Sequence, residues 1–336
     1  MAIALLVRPA WVAPAAAFGQ VRTYTTRGLS SYLVTPTELN EAIKRNAPSP
    51  ISTDPRTIPL CASWFMPNAG LKGIDVYRQQ RVPKARFFDL DKVCDKRSPY
   101  PHMLPDAKGF AAAMSELGIR RDDEVVVYDS QELGIFSAPR VAWTLKAFGH
   151  PRVHILNNFK LWIEQGLPTE SGELYTVECS TYPIPEMDEY YDPVATFEEV
   201  REVARDHNKE GAEGVQILDA RPAGRFDGSA PEPREGLSSG HMPGSINIPF
   251  PDLLDPETKT YKSPEELTRY FESKGVDPAK PIISSCGTGV TACIINEALE
   301  IAGYGSAETR KVYDGSWTEW AQRVRPSDNL IVKKSQ

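Results

Sequence analysis

One cysteine of the chain lies where a thiol gains chemistry. Residues Ser285-Cys286-Gly287-Thr288-Gly289-Val290-Thr291 follow the apolar run Pro281-Ile282-Ile283-Ser284 and precede an amphipathic helical pattern that ends at Gly303. A glycine-rich turn at a helix start leaves amide groups unpaired and faces the positive end of the helix dipole. Both favour an anion, lower a thiol pKa and hold whatever charge the sulfur acquires. Cys286 is therefore the candidate nucleophile, with Gly287, Thr288, Gly289, Val290 and Thr291 as its cradle. A buried structural cysteine at a strand end is the plainer alternative, and the flanking glycines weigh against it. A cysteine-phosphatase loop would need an arginine six positions after the nucleophile to clamp phosphate, and position 292 is alanine.

The elements that must position this turn occur twice. Val125-Val126-Val127-Tyr128-Asp129 echoes Ile282-Ile283-Ser284-Ser285-Cys286, Pro59-Leu60-Cys61-Ala62-Ser63 echoes Ile217-Leu218-Asp219-Ala220-Arg221, and Arg81-Val82-Pro83-Lys84-Ala85 echoes His241-Met242-Pro243-Gly244-Ser245. Capping-box patterns mark helix starts at Thr35 and Glu38, Thr196 and Glu199, and Ser263 and Glu266. In each half short apolar runs alternate with helical patterns, as in Val153-His154-Ile155-Leu156 after a helix over 138–148, which predicts an α/β fold of two tandem units, each a parallel sheet flanked by helices. The expected division is 31–170 for a non-catalytic unit, 171–192 for a linker rich in acidic, proline and tyrosine residues, and 193–330 for the catalytic unit. Ligands of open α/β sheets collect at the carboxyl ends of strands, where Cys286 falls. The first unit carries Asp129 there, which cannot carry sulfur, so its expected role is to wall the cleft.

A chain of 336 residues accommodates two substantial cores. Its formal charge of -7 argues against a protein that grips nucleic-acid phosphates directly. Its 5 cysteines lack metal-ligand spacing and fit a reducing compartment. Residues 1–30 contain Arg8, Arg22 and Arg27 with no acidic residue before Glu38, the composition of a mitochondrial presequence, and Arg22-Thr23-Tyr24 suggests cleavage after Tyr24. The competing secretory reading fails because Arg8 interrupts the apolar stretch and no basic cluster precedes it. No apolar run reaches the roughly 18 residues that span a bilayer. The expected location is the mitochondrial matrix, with a cytoplasmic form open.

A duplicated unit with aspartate at the first turn and Cys-Gly-Thr-Gly-Val-Thr at the second resembles the two-domain rhodanese family, in its 3-mercaptopyruvate sulfurtransferase branch. Further matching stretches are Ser98-Pro99-Tyr100-Pro101-His102-Met103, Ser137-Ala138-Pro139-Arg140, Gly224-Arg225-Phe226, Pro231-Glu232-Pro233-Arg234 and Tyr313-Asp314-Gly315-Ser316-Trp317. Leu156-Asn157-Asn158-Phe159 and the run 255–261 are similar to the fungal branch that feeds sulfur into tRNA wobble-uridine thiolation. The resemblance implies transfer of sulfur from 3-mercaptopyruvate, or alternatively thiosulfate, through a Cys286 persulfide to cyanide or to a thiol acceptor such as thioredoxin. A relay fed by a cysteine desulfurase and serving tRNA-thiolation proteins is a further alternative. No metal or organic cofactor is implied.

The resemblance also implies site roles. Gly287 stands where thiosulfate-preferring members have arginine and Thr288 where they have lysine, so a dianionic donor finds little charge in the loop. Arg225 and Arg234 are expected to bind the mercaptopyruvate carboxylate and keto group. Two charge-assisted contacts would supply roughly 3 to 6 kcal/mol, against the about 4 kcal/mol of a millimolar dissociation constant. The plainer reading of Arg225 is an ion pair with Asp227 or Glu232. Thr288 matches the serine of animal members, for which an Asp-His partner pair has been proposed. The matching histidine position is read here as Arg81, so that relay is not expected, and Arg81 is expected either exposed at a helix end or facing the cleft. His241 is expected to be structural, Cys293 to fill the core two turns along the helical face of Cys286, and Asp314 and Trp317 to shape the cleft floor or pack the core.

Overall fold

A computed structural model describes residues 28–48, 52–186, 192–207 and 214–334. Apart from Gly28, Leu29 and Ser30, the presequence expectation lies outside the described residues. The first unit runs β1 (Leu33–Val34), α1 (Pro36–Lys44), β2 (Thr57–Cys61), α2 (Gly73–Gln79), β3 (Arg86–Phe87), α3 (Ala107–Glu116), β4 (Glu124–Tyr128), α4 (Ala138–Ala147), β5 (Val153–Leu156) and α5 (Phe159–Glu164). The second runs β6 (Val194–Ala195), α6 (Phe197–Asp206), β7 (Gln216–Asp219), α7 (Ala223–Asp227), β8 (Ile246–Asn247), α8 (Pro264–Ser273), β9 (Ile282–Ser285), α9 (Ala292–Ala302), β10 (Arg310–Tyr313) and α10 (Ser316–Arg323). The sheet orders, β1-β5-β4-β2-β3 and β6-β10-β9-β7-β8, are the same arrangement repeated.

All the strand pairs within these sheets are parallel, and β2 and β4 are buried at every residue, as sheets covered by helices on both faces require. The three capping boxes form at Thr35, Thr196 and Ser263, and Gly303, with φ +58°, ends α9. One apolar cluster lines the inner faces of both sheets and continues through the contact of α4 with α9, while separate clusters fill the outer faces. Because α4 and α9 are equivalent helices of the two units, the turns that precede them, after Asp129 and after Cys286, both open at the seam.

The described part of the expected linker, residues 171–186, runs against the first unit. Ser180 donates its N–H to the Ser115 carbonyl at 3.0 Å, and buried Tyr182 reaches His150 at 2.8 Å. Arg81 corrects both expectations placed on it, being neither exposed nor in the cleft. Its guanidinium is buried against the carbonyls of Ser171, Gly172 and Glu173. The repeat explains this: Arg81 and His241 each make an isolated antiparallel bridge, to Glu170 and Val332, at the same place in their units. His241 sits in a structural role, donating from Nδ1 to the Phe226 carbonyl and stacked on the Phe226 ring.

Candidate active site

Strand β9 delivers Cys286 to the carboxyl end of the second sheet, and five residues of turn separate Cys286 from the helix it faces. Cys293, already inside α9, therefore does not share a helical face with Cys286. It fills the core, where burial pushes its thiol up. The start of α10 holds the turn by its carbonyls: Trp317 N–H donates to Cys286 O at 2.9 Å, and Thr318 donates to Gly287 O from its N–H at 3.0 Å and its hydroxyl at 2.7 Å. Cys286 N–H donates to Ser316 Oγ at 3.1 Å. No acceptor among the described residues takes the amide hydrogens of Gly287, Thr288, Gly289, Val290 or Thr291, so these donors are left for an anion beside the sulfur. Gly289 has φ +76°, and a Cβ there would sit 2.6 Å from the Asp314 carbonyl oxygen, so this step of the turn admits only glycine.

The first unit supplies an internal control. Asp129, at the position of Cys286, accepts the N–H groups of Phe136, Ser137 and Ala138 at 2.8, 2.9 and 2.8 Å and the Ser137 hydroxyl at 2.6 Å. Burial pushes its carboxyl up, and these donors hold it down. The same turn at a helix start thus closes on a negative group of its own side chain in one unit and is left open beside a thiol in the other.

Cys286 is 2% exposed and lines a cavity of about 170 Å³ to which the first unit contributes Trp64, Met66 and Phe136 and the second Arg225, Arg234 and Phe250. The turn residues Gly287, Thr288, Val290 and Thr291 line it as well, whereas Gly289 faces the seam and meets the Arg140 guanidinium. Arg225, on α7, lies against the turn, since a Cβ on Gly287 would meet its Nη2 at 3.2 Å. It also pairs with Glu232 at 2.5 Å, so the ion-pair reading and the pocket reading both hold. Glu232 is buried and shared with Arg221, whose Nη1 is 2.9 Å away and which also binds Asp219 at 2.6 Å and lies over the Trp317 ring. Arg234 has no carboxylate partner among the described residues, and burial lowers its pKa from the ordinary value.

Sequence reasoning missed the group that faces Thr288. His102 Nδ1 is 3.1 Å from Thr288 Oγ1, and its Nε2 is 3.1 Å from Asp91 Oδ1. Asp91, whose carboxyl is held low by His102, also accepts from the Trp64 indole at 3.0 Å. A carboxylate at Nε2 assigns the proton to that nitrogen and leaves Nδ1 to accept from the Thr288 hydroxyl. Burial lowers the His102 pKa, which favours the neutral imidazole. The expectation that no such relay exists is therefore corrected: the histidine is His102, not Arg81. The clue available was Tyr100-Pro101-His102, but it lies in the long crossover between β3 and α3, outside any helix or strand pattern. Arg140, fully buried on α4, fastens the arrangement by pairing with Asp314 at 2.6 Å and donating to the His102 carbonyl at 2.6 Å and the Gly289 carbonyl at 3.4 Å.

The Rhodanese-like domain family model matches residues 200–323. The chain is 42% identical over 283 residues to thiosulfate sulfurtransferase TUM1 of Saccharomyces cerevisiae, covering 81% of this chain and 90% of that one. It is 41% identical to the 3-mercaptopyruvate sulfurtransferase of Homo sapiens, covering 80% and 86% respectively. The structure of the yeast mitochondrial complex I sub-stoichiometric sulfur transferase subunit superposes with a TM-score of 0.79 at 40% identity, covering 91% of this chain and 100% of that one. With relatives at 41 and 42% identity covering 80% and 81% of its length, the chain belongs to the rhodanese family of sulfurtransferases.

Proposed function

We propose that the chain transfers sulfur from 3-mercaptopyruvate through a persulfide on Cys286. The observation that carries this reading is the meeting, around one thiol, of the amide cradle, the Arg225 and Arg234 guanidiniums and the Asp91–His102–Thr288 chain. The arginines hold the donor carboxylate and keto oxygen. The Cys286 thiolate attacks the donor sulfur, a sulfur–sulfur bond forms, the carbon–sulfur bond breaks, and its electron pair leaves as the enolate of pyruvate. The thiol proton of the donor moves to the Thr288 hydroxyl as Thr288 gives its own proton to His102 Nδ1, the reverse shift returns a proton through Thr288 to the enolate carbon, and the persulfide is left as an anion on the cradle amides. An acceptor thiolate or cyanide then takes the terminal sulfur and restores the Cys286 thiolate.

Thiosulfate is the second reading, supported by the yeast relative, a thiosulfate sulfurtransferase. Domain limits of 31–170 and 193–330, acceptors such as thioredoxin, exchange with a cysteine desulfurase and tRNA-thiolation proteins, and a mitochondrial matrix location are part of the same proposal. The location is supported by the presequence composition and by the mitochondrial neighbour. The test is steady-state kinetics with both donors, with Cys286→Ser as the blank. Arg225→Ala and Arg234→Ala should each lose mercaptopyruvate turnover by at least about tenfold, the loss of one charge-assisted contact. Unchanged mercaptopyruvate kinetics in both variants would overturn the assignment.

A further inference from the structure

The donor pocket is lined by the guanidiniums of Arg221, Arg225 and Arg234. Two of them are already neutralised from behind. Glu232, whose side chain is 2% exposed, places Oε1 2.9 Å from Arg221 Nη1 and Oε2 2.5 Å from Arg225 Nη2, while Asp219, equally buried, takes the other side of Arg221 at 2.6 Å. Three cations against two buried carboxylates leave one positive charge, that of Arg234. Asp91, on the far side of His102, also acts on Arg234, but its side chain is 66% exposed and solvent screens it.

We infer that Glu232 sets the donor charge that the pocket accepts: by cancelling one guanidinium it matches the site to a monoanion such as a 2-oxo acid thiol and disfavours a dianion such as thiosulfate. Glu232 is a specificity-determining residue that acts through Arg225, and this inference rests on the donor site proposed above. A dianion entering the site leaves a surplus negative charge beside the thiolate that must attack it, whereas a monoanion leaves none. The carboxylate also orients Arg225, because its bidentate grip on Nε and Nη2 turns the guanidinium edge toward Gly287.

The test compares Glu232→Gln with Glu232→Asp on both donors. Glu232→Gln keeps Oε1 as an acceptor for Arg221 Nη1 and Arg225 Nε, gives up the acceptor of Arg225 Nη2, and removes the charge. It should raise the ratio of kcat/KM for thiosulfate over mercaptopyruvate roughly ten- to fifty-fold, as one unit charge about 7 to 12 Å away does at an effective dielectric of about 20. Glu232→Asp, which keeps the charge, should leave the ratio within about twofold of the parent. A ratio unmoved in Glu232→Gln, or moved equally in both variants, overturns the inference. Should Glu232→Gln fail to fold, inhibition of the unaltered protein decides. Methanesulfonate, a monoanion, should compete with mercaptopyruvate at least as well as sulfate at matched ionic strength, and tighter binding of sulfate overturns the inference. Failure of the donor site itself is distinct, since Arg225→Ala and Arg234→Ala would then leave mercaptopyruvate turnover intact.

Discussion

Replacing Arg140 by methionine tests how the two units share one active site. The guanidinium is 1% exposed and pairs with Asp314, 4% exposed, at 2.6 Å, and it also serves two carbonyls, those of His102 and Gly289, from opposite units. Methionine refills most of the volume over Trp143 but leaves a buried carboxylate whose remaining partner is the Leu104 N–H at 2.8 Å. Removing one member of a buried pair costs about 3 to 5 kcal/mol, a large share of the roughly 5 to 15 kcal/mol that holds a typical domain folded. Urea unfolding followed by tryptophan fluorescence measures the loss. Because the His102 and Gly289 carbonyls lose their common donor, kcat should fall at least about tenfold through slackened relay geometry, while KM should change little, because the proposed donor-binding arginines, Arg225 and Arg234, are untouched. Adding Asp314→Asn removes the stranded charge, so the double variant should recover roughly 2 kcal/mol or more of the loss without recovering kcat. A single variant within about 1 kcal/mol of the parent with unchanged kcat would refute the reasoning, because the pair would then carry neither stability nor register.

His102→Asn should lower kcat for mercaptopyruvate on the order of a hundredfold or more, the usual contribution of a positioned acid-base group. The parent should lose activity on acidification only below the ordinary histidine range, because burial lowers the His102 pKa, and that acid limb should vanish in the variant. His150, buried between Tyr182 and the Asp123 carbonyl, has its pKa pushed down by burial to about 4. The unfolded chain takes up this proton near pH 6.5 and the folded chain does not until about pH 4, so unfolding binds a proton inside that window and stability falls as pH falls through it. The contribution amounts to about 3 kcal/mol, and His150→Gln should flatten the dependence of urea midpoint on pH between 6.5 and 4. An unaltered slope would show that other groups set it.

How much was legible in the chain follows from the range of each signal. The strands ending at Asp129 and Cys286, the three capping boxes and the Gly303 helix end are written in contiguous residues, because hydrogen-bond capping, burial on both faces and a positive φ are satisfied within a few positions. The same locality made the placement of Cys286 in a turn before a helix readable. The dual state of Arg225, paired and pocket-facing at once, was half legible, since Glu232 lies seven positions away on the same loop system.

The amino-acid sequence by itself determined the duplicated α/β architecture, the cysteine in its amide cradle and the arginines beside it. Only the tertiary structure decided what faces them. His102 lies 186 positions from Thr288 and Arg140 149 positions from Gly289, and no periodicity or cap specifies a meeting between a crossover loop of one unit and a turn of the other. That meeting is set by the packing of α4 on α9 through a shared apolar core, which is a property of complementary surfaces summed over both units rather than of any stretch of chain. The repeat itself misled at Arg81, because symmetry between the units places equivalent structural bridges, whereas the His102–Thr288 contact crosses the seam between unequal partners.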